Sequence, residues 1–287
     1  MYRHILTCIA LFSYTLLAPG CGGGGSGGNS DDSPDMLEVD VEAVTAGNWY
    51  RPTTDATWTW QLQGIINTSY DTEIYDIDLF DTDKTDIASL QAAGRKVICY
   101  FSAGSYENFR TDKDQFSDDV LGNTLSGFDD ERWLDIRVRS VYGIMLSRLD
   151  LAVDKGCDGV EPDNVMVFEE NSGFSIKAKD QLAFNRNLFN AAHERGLSVA
   201  LKNDLPQIAE LVDYTDMIVN EQCHEFDECE QMKAFLDAGK PVLNAEYLAA
   251  YQADPSGVCA DAIIGNWRTL ILSDSLDDSF KFSCDQD

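Results

Sequence analysis

The chain has 287 residues, 44% of them hydrophobic and 10% aromatic. That is the composition of a packed globular protein and excludes a disordered one. Its 50 Asp and Glu against 21 Lys and Arg give a formal charge of −29, so the surface repels nucleic acid and other polyanions and suits a cationic ligand.

The N-terminus carries Arg3, an apolar run from Ile5 to Leu17, then Ala18-Pro-Gly-Cys21. Residues 1–20 read as a secretory signal, and the run is too short to span a bilayer well. Leu17-Ala-Pro-Gly-Cys21 resembles a bacterial lipoprotein box. That resemblance implies cleavage before Cys21 and a lipid on its sulfur. The chain is then exported and touches a membrane only through this anchor; without the lipid it is simply secreted. Residues 21–35 follow as a Gly/Ser-rich tether that cannot bury apolar surface. Residues 36–287 remain as one domain, a size common for an α/β barrel.

Within that domain a helical pattern ends four times in a glycine with an apolar run just behind it. The glycines are Gly94, Gly156, Gly196 and Gly239. A glycine just past a helix takes the left-handed conformation that closes it. The runs suit strands buried on both faces of a parallel sheet. Eight strands are expected: Thr57–Leu62, Glu73–Leu79, Val97–Ser102, Gly159–Pro162, Ser198–Lys202, Met217–Asn220, Val242–Ala245 and Thr269–Leu272. The clearest helices are Arg137–Lys155 and Lys179–Arg195. In the first, Val141, Ile144, Met145, Arg148, Leu149 and Ala152 recur at helical spacing. Eight alternating units predict an α/β fold of the closed (β/α)₈ TIM-barrel type, with its site at the C-terminal strand ends. The long polar interval from Gly104 to Leu134 is expected to shape the cleft.

Carboxylates collect at those strand ends: Asp76, Asp78, Asp81, Glu161, Asp163, Asp204, Glu221 and Glu246. The fourth and sixth strands lie two apart around a barrel of eight, so their acids can flank a ligand. Two facing carboxylates are what glycosidic cleavage needs, one to protonate the leaving oxygen and one to attack or to activate water. Aromatic residues beside them, among them Trp60, Tyr100 and Tyr247, offer faces for sugar rings. With three histidines in the chain and no G-x-S-x-G turn, a serine triad lacks its parts. No phosphate loop is present. No cofactor and no metal are expected.

Of eight cysteines, Cys8 leaves with the signal and Cys21 is the lipid candidate. An exported protein meets an oxidising compartment. Loop closeness suggests Cys223 with Cys229, and Cys259 with Cys284 to tie the C-terminus. Cys99 and Cys157 read as buried free thiols.

The blocks WQLQG (60–64), YDIDLFD (75–81), VICYFSAGSYE (97–107), RLDLA (148–152), KGCDGVEPDN (155–164), GLSVALKN (196–203), VNEQC (219–223) and KPVLNAEY (240–247) together resemble glycoside hydrolase family 114, the endo-α-1,4-polygalactosaminidases. The likeness runs from about Trp58 to Cys284. It implies a single-domain barrel that hydrolyses α-1,4-linked galactosamine polymer in mid-chain, a cationic polysaccharide. It implies Asp163 as nucleophile and Glu221 as general acid/base, and hence retention. Glu161 stands where family members often carry Asp. Trp60, Gln61, Asp78, Tyr100, Glu161, Asn164, Lys202, Asn203, Gln222, Glu246 and Tyr247 are the candidate sugar contacts, with Glu246 also a partner for Lys202. A monomer is expected. The alternatives are a non-catalytic polysaccharide-binding lipoprotein on the same barrel and a glycosidase for another amino-sugar polymer.

Overall fold

The computed structural model describes residues 37–285. The expected signal, the Cys21 lipid site and the tether lie outside the described residues. No described helix is long and apolar enough to cross a membrane.

The chain opens with β1 (Trp58–Gln61), β2 (Ile74–Asp78), α1 (Lys84–Ala92) and β3 (Lys96–Ser102). Then come β4 (Ser105–Glu107), β5 (Leu121–Leu125), β6 (Phe128–Leu134) and α2 (Arg139–Lys155). The middle is β7 (Gly159–Asp163), α3 (Ala178–Glu194), β8 (Ser198–Lys202), α4 (Ile208–Leu211), β9 (Met217–Glu221) and α5 (Lys233–Asp237). It closes with β10 (Val242–Glu246), α6 (Ala249–Ala253), α7 (Ser256–Gly265), β11 (Trp267–Leu272) and β12 (Lys281–Ser283).

All eight expected strands are present and run parallel in the order β1-β2-β3-β7-β8-β9-β10-β11, with β12 antiparallel on the edge of β11. No backbone ladder joins β1 to β11 or β12 among the described residues. The observed form is a curled parallel sheet. Its two ends meet through Trp58, whose Nε1 donates to the Arg268 carbonyl at 2.7 Å. Leu62 and Gln63 likewise donate to the Leu276 carbonyl at 2.9 and 3.1 Å.

Alternation along the strands separates two apolar cores. Trp58, Trp60, Ile74, Ile98, Ala200, Met217, Val219, Leu243, Ala245, Leu270 and Leu272 pack together on the inner face. Their chain neighbours Tyr75, Ile77, Val97, Cys99, Val160, Val199, Leu201, Ile218, Val242 and Ile271 pack outward against helices. Each fully buried side chain of this kind contributes about 1.5–3 kcal/mol. Helix α2 buries the six residues that its spacing predicts. Gly156 closes it at φ 91°, donating its N–H to the Ala152 carbonyl at 3.0 Å. The other three glycines also take positive φ.

Arg148 is a buried charge in the middle of that apolar stripe, so it must be paired. It is: the guanidinium holds both oxygens of Asp112, at 2.8 and 3.0 Å, and the Ser102 carbonyl. The interval from Gly104 to Leu134 forms a small antiparallel sheet, β4-β6-β5. Its strands are largely polar, so alternation gives no strand signal there.

Three disulfides form: Cys99–Cys157, Cys223–Cys229 and Cys259–Cys284. The first corrects the expectation of free thiols. Cys99 points outward from β3 and meets Cys157, two residues before β7, a neighbour in space at a separation of 58 in sequence. Three bridges suit an oxidising compartment outside the cytoplasm. Cys223 and Cys229 also lie near His224 in a grouping that could hold a metal, but bonded to each other they have no thiolate to offer.

Candidate active site

The pairing register assembles the site. Tyr100 on β3 stands opposite Glu161, and Ser102 opposite Asp163. Asp163 is the last residue of β7, Lys202 of β8 and Glu221 of β9. All three lie in step with the inner-face residues of their strands. The residue after each one is left-handed: Asn164 at φ 59°, Asn203 at 51° and Gln222 at 63°. Such positions cost of order 1–3 kcal/mol and cluster at functional sites. Here they turn the chain sharply, so that three strand-end side chains converge.

Lys202 is the centre. Its ammonium lies 3.2 Å from Asp163 Oδ1, 3.1 Å from Glu221 Oε2 and 3.8 Å from Glu161 Oε1. It also lies 4.9 Å from the centroid of the Trp60 ring. Burial works against its charge, but Asp163, Glu221 and Glu161 outweigh that and hold its pKa above the usual lysine value. Lys202 is therefore a fixed cation.

Asp163 accepts hydrogen bonds from Tyr100 Oη at 2.8 Å and from the Asn164 N–H at 2.6 Å. Glu221 accepts from Tyr247 Oη at 2.7 Å and from Asn203 Nδ2 at 3.2 Å. Their side chains keep 18% and 29% of their exposure, so a ligand in the mouth can reach both. Burial pushes the Glu221 carboxyl up, but Lys202, Tyr247 and Asn203 together hold it below the usual range. Burial and the neighbouring carboxylates raise both tyrosines well above theirs, so both phenols stay protonated donors.

Beneath this group lies a second acidic pair, Asp76 and Glu161, both fully buried. None of their four carboxyl oxygens has a hydrogen bond of ordinary geometry. Burial raises both, Asp76 to about 8, and for Glu161 the charge of Asp76 adds to burial. The pair therefore carries a proton at neutral pH.

Several expected sugar contacts are engaged elsewhere. Asp78 holds Arg110 with both oxygens, at 3.0 and 2.7 Å, and both side chains are 5% exposed. Gln61 braces the loop behind β1, donating to the Gln63 and Ile65 carbonyls and accepting from the Asn67 N–H. Asn164 donates to Ser102 Oγ at 2.9 Å, and Gln222 to Glu225 at 2.8 Å.

Glu246 is a correction. It lies one residue out of step with Ala245, so it points away from the inner face, and it makes no ion pair with Lys202. It accepts the His224 N–H at 2.8 Å and Asn244 Nδ2 at 3.1 Å, bracing the loop that follows Glu221. Two groups escaped the sequence reading as site residues. Asp76 shares the inner face with Ile74, a parity readable from the strand. Glu131, bonded by Ser105 Oγ at 2.7 Å and pushed up to about 7 by burial, comes from β6, a strand with no alternation to announce it.

A family model for glycoside hydrolase family GH114 matches residues 40–287. The crystal structure of Aspergillus fumigatus Ega3 in complex with galactosamine is 41% identical, with a TM-score of 0.80 over 84% of this chain and 100% of that one. The glycoside hydrolase domain of PelA from Pseudomonas aeruginosa shares the fold, with a TM-score of 0.62 at 13% identity over 79% of this chain and 97% of that one. No curated protein matches the chain. With that match across nearly all of its described residues, the chain belongs to glycoside hydrolase family GH114.

Proposed function

We propose that this glycoside hydrolase cuts α-1,4-linked galactosamine polymer in mid-chain and retains the configuration of the cleaved bond. The observation that carries the reading is Lys202 held between Asp163 and Glu221. Its contacts of 3.2 and 3.1 Å keep the bridged oxygens no more than about 6.3 Å apart, which favours the close pair of a retaining enzyme over the roughly 6.5–9.5 Å of an inverting one.

In this reading Asp163 Oδ attacks the anomeric carbon while the bond from that carbon to the leaving oxygen breaks. The protonated form of Glu221, the minority at neutral pH, gives its proton to that oxygen. The ester on Asp163 is then opened by a water whose proton returns to Glu221. Tyr100, Lys202 and the Asn164 N–H orient the attacking carboxylate. Tyr247 and Asn203 orient the other, and the resting structure holds Glu221 in the ionised form it needs for the second half.

The substrate class rests on the likeness to Ega3, whose structure holds galactosamine, and on the charge of −29, which favours a cationic polymer. A closed (β/α)₈ barrel spanning residues 36–287 completes the reading, supported by the Trp58 bond to Arg268 across the sheet ends. So do a single-chain active unit and export with a lipid on Cys21.

Galactosamine polymer incubated with residues 36–287 yields a ladder of short oligosaccharides by mass spectrometry, and Asp163→Asn yields none. An intact polymer with folded wild-type protein refutes this substrate. Retained binding then marks a polysaccharide-binding protein, and cleavage of another polymer an enzyme for a different amino sugar. Recovery of the full chain with membranes, lost in Cys21→Ala, tests the anchor.

A further inference from the structure

A cavity of about 340 Å³ opens beside Glu221, over the ends of β8 and β9, and Glu169, Asp204, Phe226 and Glu228 line it. It touches Glu221 and not Asp163. In the mechanism above, Glu221 protonates the leaving oxygen, so the sugar beyond that oxygen leaves on the Glu221 side. The cavity stands where that sugar must lie.

Its chemistry is one-sided. Glu169, Asp204 and Glu228 bring three carboxylates, and no lysine or arginine lines it. Asp204 is 0% exposed, and its Oδ1 has no hydrogen-bond partner. The Oδ1 of Asn220, also on the lining and 1% exposed, has none either. Asn220 Oδ1 is an acceptor, and Asp204 becomes one once a cation draws off its proton, so what the lining lacks is a cation. A buried acceptor without a donor is costly and calls for an occupant.

Asp204 is built into this position. It precedes the short turn Leu205–Gln207 without capping it. Its backbone is left-handed at φ 47°. Asn185 on α3 donates to its other oxygen at 3.1 Å, and Gln181 holds Asn185 in turn at 2.8 Å. Burial, with Glu169 behind it, pushes the carboxyl up to about 8, so without a cation beside it the group holds a proton at neutral pH, and an arriving cation favours its charged form. Phe226 leaves its ring 60% exposed on the lining, a flat apolar face of the kind that stacks on sugar C–H groups.

The occupant must therefore bring positive charge, several N–H donors and an apolar face. A protonated amino sugar brings all three. Its N-acetylated form brings one amide N–H and no charge.

We propose that this cavity is the subsite for the leaving sugar, and that Asp204, with Glu169 and Glu228, reads the ammonium group of that sugar. The inference rests on the reading of the mouth as a galactosamine-polymer hydrolase and adds where the amine is read. Asp204 and Glu228 are specificity residues in it.

The test uses the full chain and two galactosamine oligomers of equal length. They differ only in a free amine or an N-acetyl group on the sugar just past the cleaved bond. The ratio of their kcat/KM values cancels any change in the amount of folded enzyme. Wild type favours the free amine at least about tenfold. Asp204→Asn and Glu228→Gln each bring that ratio down at least about fivefold, mainly through KM. An unchanged ratio in both variants overturns the subsite and leaves the mouth's assignment standing. Failure of wild type to cut either oligomer overturns the mouth's assignment, and the subsite with it.

Discussion

Glu221 and Glu246 close adjacent parallel strands, each after an asparagine-bearing apolar run, yet they do opposite work. Glu221 follows Val219 on the inner face and meets Lys202, Tyr247 and Asn203. Glu246 follows Ala245 by one residue, faces outward and ties down the His224 loop. Strand side chains alternate with a period of two, so one step of parity moves a carboxylate from the mouth to the scaffold. A carboxylate at a strand end is therefore a site residue only when it keeps step with the inner face.

The largest expected break in this comparison is on the inner side. Glu221→Gln and Asp163→Asn each cut turnover at least about a hundredfold, the worth of general acid–base catalysis, while circular dichroism and melting stay near wild type. Near-normal turnover in either variant removes that residue from the mechanism. Lys202→Met leaves three carboxylates without their cation. It costs about 3 kcal/mol of stability, as loss of one partner of a buried pair does, and turnover falls at least about tenfold. Denaturant titration and steady-state rates report the two effects.

A pH profile sharpens the Glu221 half. Its carboxyl is held below the usual range, and as the proposed general acid it serves the leaving oxygen only when protonated. The fraction protonated in free enzyme falls about tenfold per unit above that pKa. The account expects kcat/KM to drop at least about tenfold from pH 5 to pH 7. A flat profile there assigns the proton to another group.

Glu246→Gln sharpens the other half. It weakens the acceptor for the His224 N–H, costs about 1–2 kcal/mol of stability and leaves turnover within about threefold. A hundredfold loss of turnover instead places Glu246 in the chemistry.

The last test concerns Asp76. Its folded pKa of about 8 lies above the unfolded value near 3.9. The folded state therefore binds the extra proton between those values, and stability falls as pH rises from about 4 through 8. Asp76→Asn flattens that slope in melts at pH 5 to 9. An unaltered slope assigns it to other groups.

Much of this was legible in the sequence because repeated local rules agreed. Glycine caps with apolar runs marked four strands and apolar runs alone the other four, and helical spacing named the buried face of α2. Asp163, Lys202 and Glu221 were legible as strand-end residues within family blocks. What stayed hidden depended on long-range geometry. Cys99 and Cys157 pair across 58 residues, and nothing local in either segment marks the bond. Asp78 reads as a mouth carboxylate until Arg110 arrives from the β4–β6 insertion to take it. Glu131 sits on a polar strand where alternation does not run, and Asp204, read only as one of the strand-end carboxylates, lies in a left-handed turn.

The most direct test of the central claim is the anomeric configuration of the first product, followed by proton NMR as the enzyme cuts an α-1,4-linked galactosamine oligomer. Carboxylates bridged by Lys202, with facing oxygens no more than about 6.3 Å apart, predict that the α-anomer appears first and then mutarotates. Initial release of the β-anomer means inversion, and contradicts Asp163 as nucleophile.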